Sequence, residues 1–169
     1  DTEISDFISQ ADLKPNRITT YETVAGSVIN DYINSVAAIC QTPNQLKIVY
    51  TALHGVGAET FLKVFQKAGF ADPILVKEQE KPNPDFPTTP FPNPEESGAI
   101  DLALDYAKRE HADLVIANDP DADRCAIAIN DPDHGWRMLR GDEVGAIVGK
   151  YLIEKDRINN GAYANSLVS

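Results

Sequence analysis

Apolar residues recur at helical spacing in four stretches of this chain and gather into short apolar, β-rich runs in five others. Val28, Ile29, Tyr32, Ile33 and Val36 form the first helical set, with Thr19 and Glu22 as a Thr-x-x-Glu capping box upstream and Pro43 as a stop. Residues 46–50 read as a strand and residues 53–57 as a loop. Phe61, Val64, Phe65 and Ala68 then mark a helix that Gly69 terminates. Residues 74–76, 114–117 and 125–129 read as three further strands. A turn over residues 130–135 leads to a short return strand at 136–139. Ile100, Ala103, Leu104 and Ala107 share a face of a helix whose start falls near Asn93-Pro94 or Ser97. Asp142 caps a last helix, with Val144, Ile147, Val148, Tyr151 and Leu152 facing inward.

Six prolines crowd residues 81–94, and each lacks an N–H and fixes φ. Neither a helix nor a central strand fits there, so an extended loop over the surface is expected. Strands alternating with helices predict an α/β fold: a mostly parallel sheet with helices on both faces and a C-terminal β-hairpin. The right-handed crossover rule makes the first three strands parallel. The length of 169 residues suits a single domain, placed at residues 41–155. Residues 1–40 are expected to be a helical tail or linker from a preceding domain. Residues 156–169 are expected to start a following one, with a strand entered at 161–169.

The most informative stretch lies between two of the strands: Asn118-Asp119-Pro120-Asp121-Ala122-Asp123-Arg124. Three carboxylates at every second position repel one another by roughly 1–4 kcal/mol per close pair unless water or a cation intervenes. In a straight strand, residues two apart are about 6.7 Å apart. Two oxygens on one Mg²⁺ lie within about 4.2 Å. The loop must therefore curl for a single ion to touch Asp119, Asp121 and Asp123, and Pro120 and Ala122 suit such a curl. Hard oxygen ligands favour Mg²⁺, Mn²⁺ or Ca²⁺ over Zn²⁺. An EF-hand loop fails, because Arg124 stands where its sixth-position Gly would be and Asn130 where its twelfth-position Glu would be. Arg124 beside a divalent ion would make a clamp for phosphate. The competing reading is a solvated acidic turn.

A glycine loop, Thr51-Ala-Leu-His54-Gly55-Val56-Gly57-Ala58-Glu59-Thr60, runs from strand to helix. Gly55-x-Gly57-x-x-Thr60 is a defective dinucleotide fingerprint, and Glu78 follows the second strand where a ribose-binding acid would sit. A dinucleotide-binding domain of an oxidoreductase is thus the alternative function, and a plain tight turn the simpler one. His54 reads either as a ligand for substrate phosphate or as a hydrogen-bonded structural group. Cys125 enters a strand as packing rather than as a nucleophile, and His111 ends a helix.

Composition narrows the field. Lys and Arg number 15 against 26 Asp and Glu, a formal net charge of −11. That argues against non-specific binding to nucleic acid or to an anionic membrane surface. Two cysteines, Cys40 and Cys125, and no leader pattern suggest a reducing, cytoplasmic setting, although the chain begins at Asp1 and not at Met.

The acidic loop joins three other segments in order: Thr51-Ala-Leu-His-Gly-Val-Gly57 upstream, Pro87-Thr-Thr-Pro-Phe-Pro-Asn-Pro-Glu95 between, and Arg140-Gly-Asp-Glu143 downstream. Together, over about residues 40–155, they resemble the second domain of the α-D-phosphohexomutase superfamily, whose common members are phosphomannomutase and phosphoglucomutase. The resemblance implies a four-domain parent enzyme that interconverts 1- and 6-phosphosugars through a phosphoserine and a bisphosphorylated sugar. It implies Asp119, Asp121 and Asp123 as Mg²⁺ ligands, with a phosphoserine oxygen from the first domain as the fourth. Arg124 would be the catalytic arginine near the transferring phosphate. The partners would be the sugar phosphate and that phosphoserine loop. The serine loop, the sugar-reading loop and the distal phosphate loop of such enzymes are not in this sequence, so the isolated chain is expected to be inactive. A non-catalytic, cation-dependent interaction domain is the third reading.

Overall fold

In a computed structural model, the protein is described over residues 2–11, 18–40 and 42–154. The strand expected at 161–169 and the whole of 156–169 lie outside the described residues. In chain order the elements are α1 (Thr2–Gln10), α2 (Ser27–Ala37), β1 (Ile48–Thr51), α3 (Gly57–Ala68), β2 (Ile74–Leu75), α4 (Asp101–Glu110), β3 (Leu114–Asn118), β4 (Cys125–Asp131), β5 (Gly135–Met138) and α5 (Gly141–Glu154). The strands form one sheet in the order β2-β1-β3-β4-β5. β1 pairs in parallel with both β2 and β3; β4 runs antiparallel to β3, and β5 to β4. The parallel trio and the terminal hairpin are as expected, giving a mixed α/β sheet.

Strand alternation sends successive side chains to opposite faces, and each face finds its helix. Val49, Val115, Ala117, Ala126 and Ala128 pack against Ala103, Tyr106 and Ala107 of α4. Tyr50 and Ile116 point the other way, onto Ala58 and Phe61 of α3. Tyr50 and Phe61 stack with ring centroids 3.9 Å apart. α2 lies against α3 and buries Ile33 and Ala37.

Helix ends follow local chemistry. Gly69 closes α3 in the left-handed conformation (φ 84°), where Phe70 N–H reaches the Phe65 carbonyl. His111 does the same for α4 at φ 52°, despite its side chain. Three expected features are corrected. α2 starts at Ser27 after Gly26 with no side-chain cap, so Thr19 and Glu22 form no capping box, and Val28, Ile29 and Tyr32 are exposed. α4 starts at Asp101, beyond both expected starts, because Gly98 at φ 85° interrupts any helix begun upstream. α5 buries none of its residues, and Ile147, Val148 and Tyr151 on its apolar stripe are exposed.

The hairpin and α5 share an anchor that local patterns do not reveal. Arg137 on β5 donates Nη1 and Nη2 to Glu143 at 3.0 and 3.1 Å, and Nε to Asp131 at 3.1 Å. Glu143 also accepts the Arg140 N–H at 2.9 Å, the returning half of a capping box at the start of α5. Asp131 organises the turn by accepting the N–H groups of Asp133 and His134. Those bonds, from the Asp133 amide first and then from Arg137 and His134, hold its carboxyl below the usual carboxylate range. A folded-state value below the unfolded one stabilises the turn above the ordinary Asp pKa, and this is lost as the pH falls through the folded value. The amide signal of Asp133 is thus expected to stay native at pH 5 and to shift only below about 4 in a pH-resolved NMR titration.

Candidate metal centre

The C-terminal ends of the parallel strands open on one edge of the sheet, where ligand sites of open α/β sheets form. Three segments meet there: the glycine loop after β1, the proline-rich segment before α4, and the acidic loop between β3 and β4.

The acidic loop curls as one shared cation requires. Ala122 adopts φ 61°, and its N–H closes a turn on the Asp119 carbonyl at 3.0 Å. Asp119, Asp121 and Asp123 each offer a carboxylate oxygen, and the three atoms lie within 4.8 Å of one another. That is close to the roughly 4.2 Å span of oxygens on one Mg²⁺. The three acids are not equivalent: Asp119 is buried at 1% exposure, while Asp121 and Asp123 face solvent.

Arg124 accounts for the difference. Its backbone N–H donates to Asp119 Oδ1 at 2.9 Å, and its Nε and Nη2 both reach Oδ2 at 2.9 Å. Burial alone would raise the Asp119 carboxyl, but these bonds hold it below the ordinary range. Contact with Asp119 and the charges of Asp119 and Asp121 push Asp123 up. Three carboxylates against one guanidinium leave two negative charges, which a divalent cation would neutralise. The donor set is all hard oxygen, so the residues fit a cation of the Mg²⁺ class.

Both ends of the loop are tied down. Asn118 Nδ2 donates to the Arg124 carbonyl at 2.7 Å, and Tyr50 O–H donates to Asn118 Oδ1 at 2.9 Å. Tyr50→Phe is expected to keep the ring stack on Phe61 but orphan the amide oxygen, costing about 1 kcal/mol. Thermal unfolding should register a fall of about 2–4 °C.

The glycines of the neighbouring loop serve this curl. Neither Gly55 nor Gly57 has positive φ; the left-handed residues are Leu53 (φ 46°) and His54 (φ 60°). A Cβ on Gly55 would lie 2.2 Å from the Pro120 carbonyl oxygen, and one on Gly57 2.9 Å from the Tyr50 hydroxyl. Val56 N–H donates to the Pro120 carbonyl at 2.8 Å. The space opposite Gly55 is thus filled by the acidic loop itself, and the dinucleotide alternative gains no support.

His54 is buried, and its Nε2 is bonded to Thr88 Oγ1 at 2.8 Å. Its N–H donates to the Gln79 carbonyl, and its carbonyl accepts Asn83 N–H, both at 3.0 Å. Gln79, itself buried, also binds Thr51 and Thr88. His54 thus ties the glycine loop to the proline-rich segment. That segment forms no helix or strand, as expected, but it is not wholly a surface loop, because Thr89 and Pro94 are buried. Its Asn93 Oδ1 accepts Arg124 Nη1 at 3.0 Å. Cys125, expected as strand packing, instead stands at the exposed start of β4, because Ala126 takes the buried face.

Sequence reasoning gave no site role to Tyr50, Asn93 or Asn118: Tyr50 and Asn93 meet the loop from a distance along the chain, and Asn118, its first residue, ties its two ends together. Their residue types carry no periodic or motif signal of their own.

An α/β sheet carrying an acid-and-arginine loop at its strand ends defines a candidate cation site beside a guanidinium held by the same loop. Comparisons with known proteins give that class a family. The family model described as phosphoglucomutase/phosphomannomutase, alpha/beta/alpha domain II, matches residues 30–135. A Haemophilus influenzae protein named "Probable phosphomannomutase" is 44% identical over 154 residues, covering 90% of this chain and 32% of that protein. A Saccharomyces cerevisiae phosphoribomutase is 44% identical over 112 residues, covering 63% of this chain and 18% of its own length. A crystal structure of a phosphoglucomutase/phosphomannomutase family protein from Burkholderia thailandensis has the same fold, with a TM-score of 0.64 at 18% identity over 76% of this chain and 26% of that one. The chain belongs to the phosphoglucomutase/phosphomannomutase family, as its domain II, and spans about a third or less of the length of these relatives. Among the described residues, no helix is long and apolar enough to cross a membrane.

Proposed function

We propose that this chain is the Mg²⁺-holding domain of a sugar-phosphate mutase that moves a phosphoryl group between the 1- and 6-positions of its substrate through a phosphoserine and a bisphosphate intermediate. The observation that carries the reading is the convergence of three carboxylate oxygens within 4.8 Å, beside a guanidinium held by the same loop. Asp119, Asp121 and Asp123 would hold the ion, and a phosphoserine from a preceding domain would complete its shell. The ion, when bound, supplies charge neutralisation to a phosphoryl group, which is most of what such a transfer needs.

The chain's own residues do the rest. Asp119 orients Arg124. Of the five N–H donors of a guanidinium, Nε and one on Nη1 are engaged in hydrogen bonds and Nη2 pairs with Asp119, which leaves donors on the terminal nitrogens to meet a phosphate oxygen pair. His54 enters this reading as the tie that holds the glycine loop against the acidic one. In the same reading residues 41–155 are the domain proper, with neighbouring domains joined through 1–40 and 156–169.

The test pairs binding with turnover. The chain is expected to bind Mg²⁺, to bind inorganic phosphate more tightly when Mg²⁺ is present, and to leave glucose 1-phosphate, mannose 1-phosphate and ribose 1-phosphate unconverted. Ribose 1-phosphate belongs in the panel because a phosphoribomutase is among the relatives. Turnover by the isolated chain would refute the division of labour, and phosphate binding indifferent to Mg²⁺ would refute the shared site.

A further inference from the structure

We propose that Asn93, in the proline-rich segment, is a positioning residue that aims Arg124 at a phosphate oxyanion; the inference rests on the phosphate role given to Arg124 above. Asp119 grips one edge of the guanidinium through Nε and Nη2, and Asn93 grips it at Nη1, from 31 residues away in sequence. Two separate segments therefore fix the plane of a side chain that is itself half exposed. Without such a grip, an arginine of that exposure would lose more rotamer freedom on binding its ligand.

The segment is built to hold Asn93 still. Pro94 and Thr89 are buried on either side of it, and Thr89 Oγ1 donates to the Phe91 carbonyl. The Asn93 carbonyl accepts Glu96 N–H at 3.0 Å, and its side-chain oxygen accepts Glu95 N–H at 3.2 Å. The same oxygen thus closes a local turn and receives the guanidinium. A neutral amide suits this place: it orients Arg124 without cancelling its charge, which a carboxylate would do. The proline run thereby acquires a purpose, since prolines stiffen the segment that carries the acceptor.

A plain turn-forming role predicts something different, and three substitutions separate the two. Asn93→Ser keeps a side-chain oxygen for the turn but is too short to reach Arg124. Asn93→Ala loses both contacts. Asn93→Asp keeps both acceptors and adds a charge. Nitrogen-15 NMR of the Arg124 side chain in the full chain reads rotation about the Nε–Cζ bond, and calorimetry with inorganic phosphate at saturating Mg²⁺ reads binding. In the Ala and Ser variants rotation should quicken about tenfold and phosphate affinity should fall about fivefold. The Asp variant should keep the slow rotation while its phosphate affinity stays below that of the unchanged protein. Wild-type rotation in the Ser variant, or no change in the Ala variant, would overturn the inference. If the unchanged protein binds no phosphate while rotation responds as described, the orienting contact stands and the phosphate role of Arg124 falls.

Discussion

Gly55→Ala is expected to be among the most damaging single-methyl changes available in this protein. The added Cβ would sit 2.2 Å from the Pro120 carbonyl oxygen and 2.3 Å from its Cα. Both are backbone atoms, so no side chain can rotate away. The glycine loop and the acidic loop must part, with loss of the 2.8 Å bond from Val56 N–H to the Pro120 carbonyl. Overpacking of this kind costs roughly 1–3 kcal/mol, and a lost backbone hydrogen bond adds about 1 kcal/mol. Denaturant unfolding reads the sum, and metal affinity should fall with it because Pro120 lies between two of the proposed ligands. Gly145→Ala is the control. Nothing lies within 4 Å of a Cβ there, and the position is inside α5. It is expected to stabilise the protein by up to about 1 kcal/mol through helix propensity.

Asp119→Ala should have the largest effect on the site. Asp119 is the buried member of the acidic trio, accepts the backbone and Nε N–H groups of Arg124 and pairs with its Nη2. Its removal leaves Arg124 half exposed and still held by Asn93, so solvent can take over part of the lost pairing. A stability loss of about 1–3 kcal/mol follows, below that of breaking a fully buried ion pair. Metal binding should suffer more. Groups that merely support a metal ligand cost 10–100-fold when removed, so losing the ligand itself should cost at least about 100-fold. Asp121→Asn and Asp123→Asn remove exposed groups, and should weaken the metal with little change in the unfolding midpoint. The contrast between a stabilising ligand and two nearly neutral ones is specific to this geometry.

Much of the fold was legible because its signals are local. Apolar runs of four or five residues marked β1, β3 and β4, and Gly69 marked the end of α3. The acid loop was legible as a candidate site because three carboxylates at every second position repel one another unless water or a cation intervenes. What local pattern could not supply were contacts between distant segments. Gly55 looked like half of a nucleotide fingerprint, and only the approach of Pro120, 65 residues on, gives it its reason. Asn93 looked like a helix cap, yet Gly98 breaks the helix it would have started, and its side-chain oxygen closes only a local turn while also accepting Arg124. The apolar stripe of α5 read as core-facing because periodicity marks a face without telling what covers it. Arg137 carried no motif at all, although it joins the hairpin to the start of α5.

Titration of the chain with Mn²⁺, followed by electron paramagnetic resonance and competed with Mg²⁺, tests the central claim most directly. One ion per chain should bind, Mg²⁺ should displace it, and binding should fail in the Asp119→Ala variant and weaken in Asp121→Asn and Asp123→Asn. An ion held equally well by a chain lacking all three carboxylates would contradict the account.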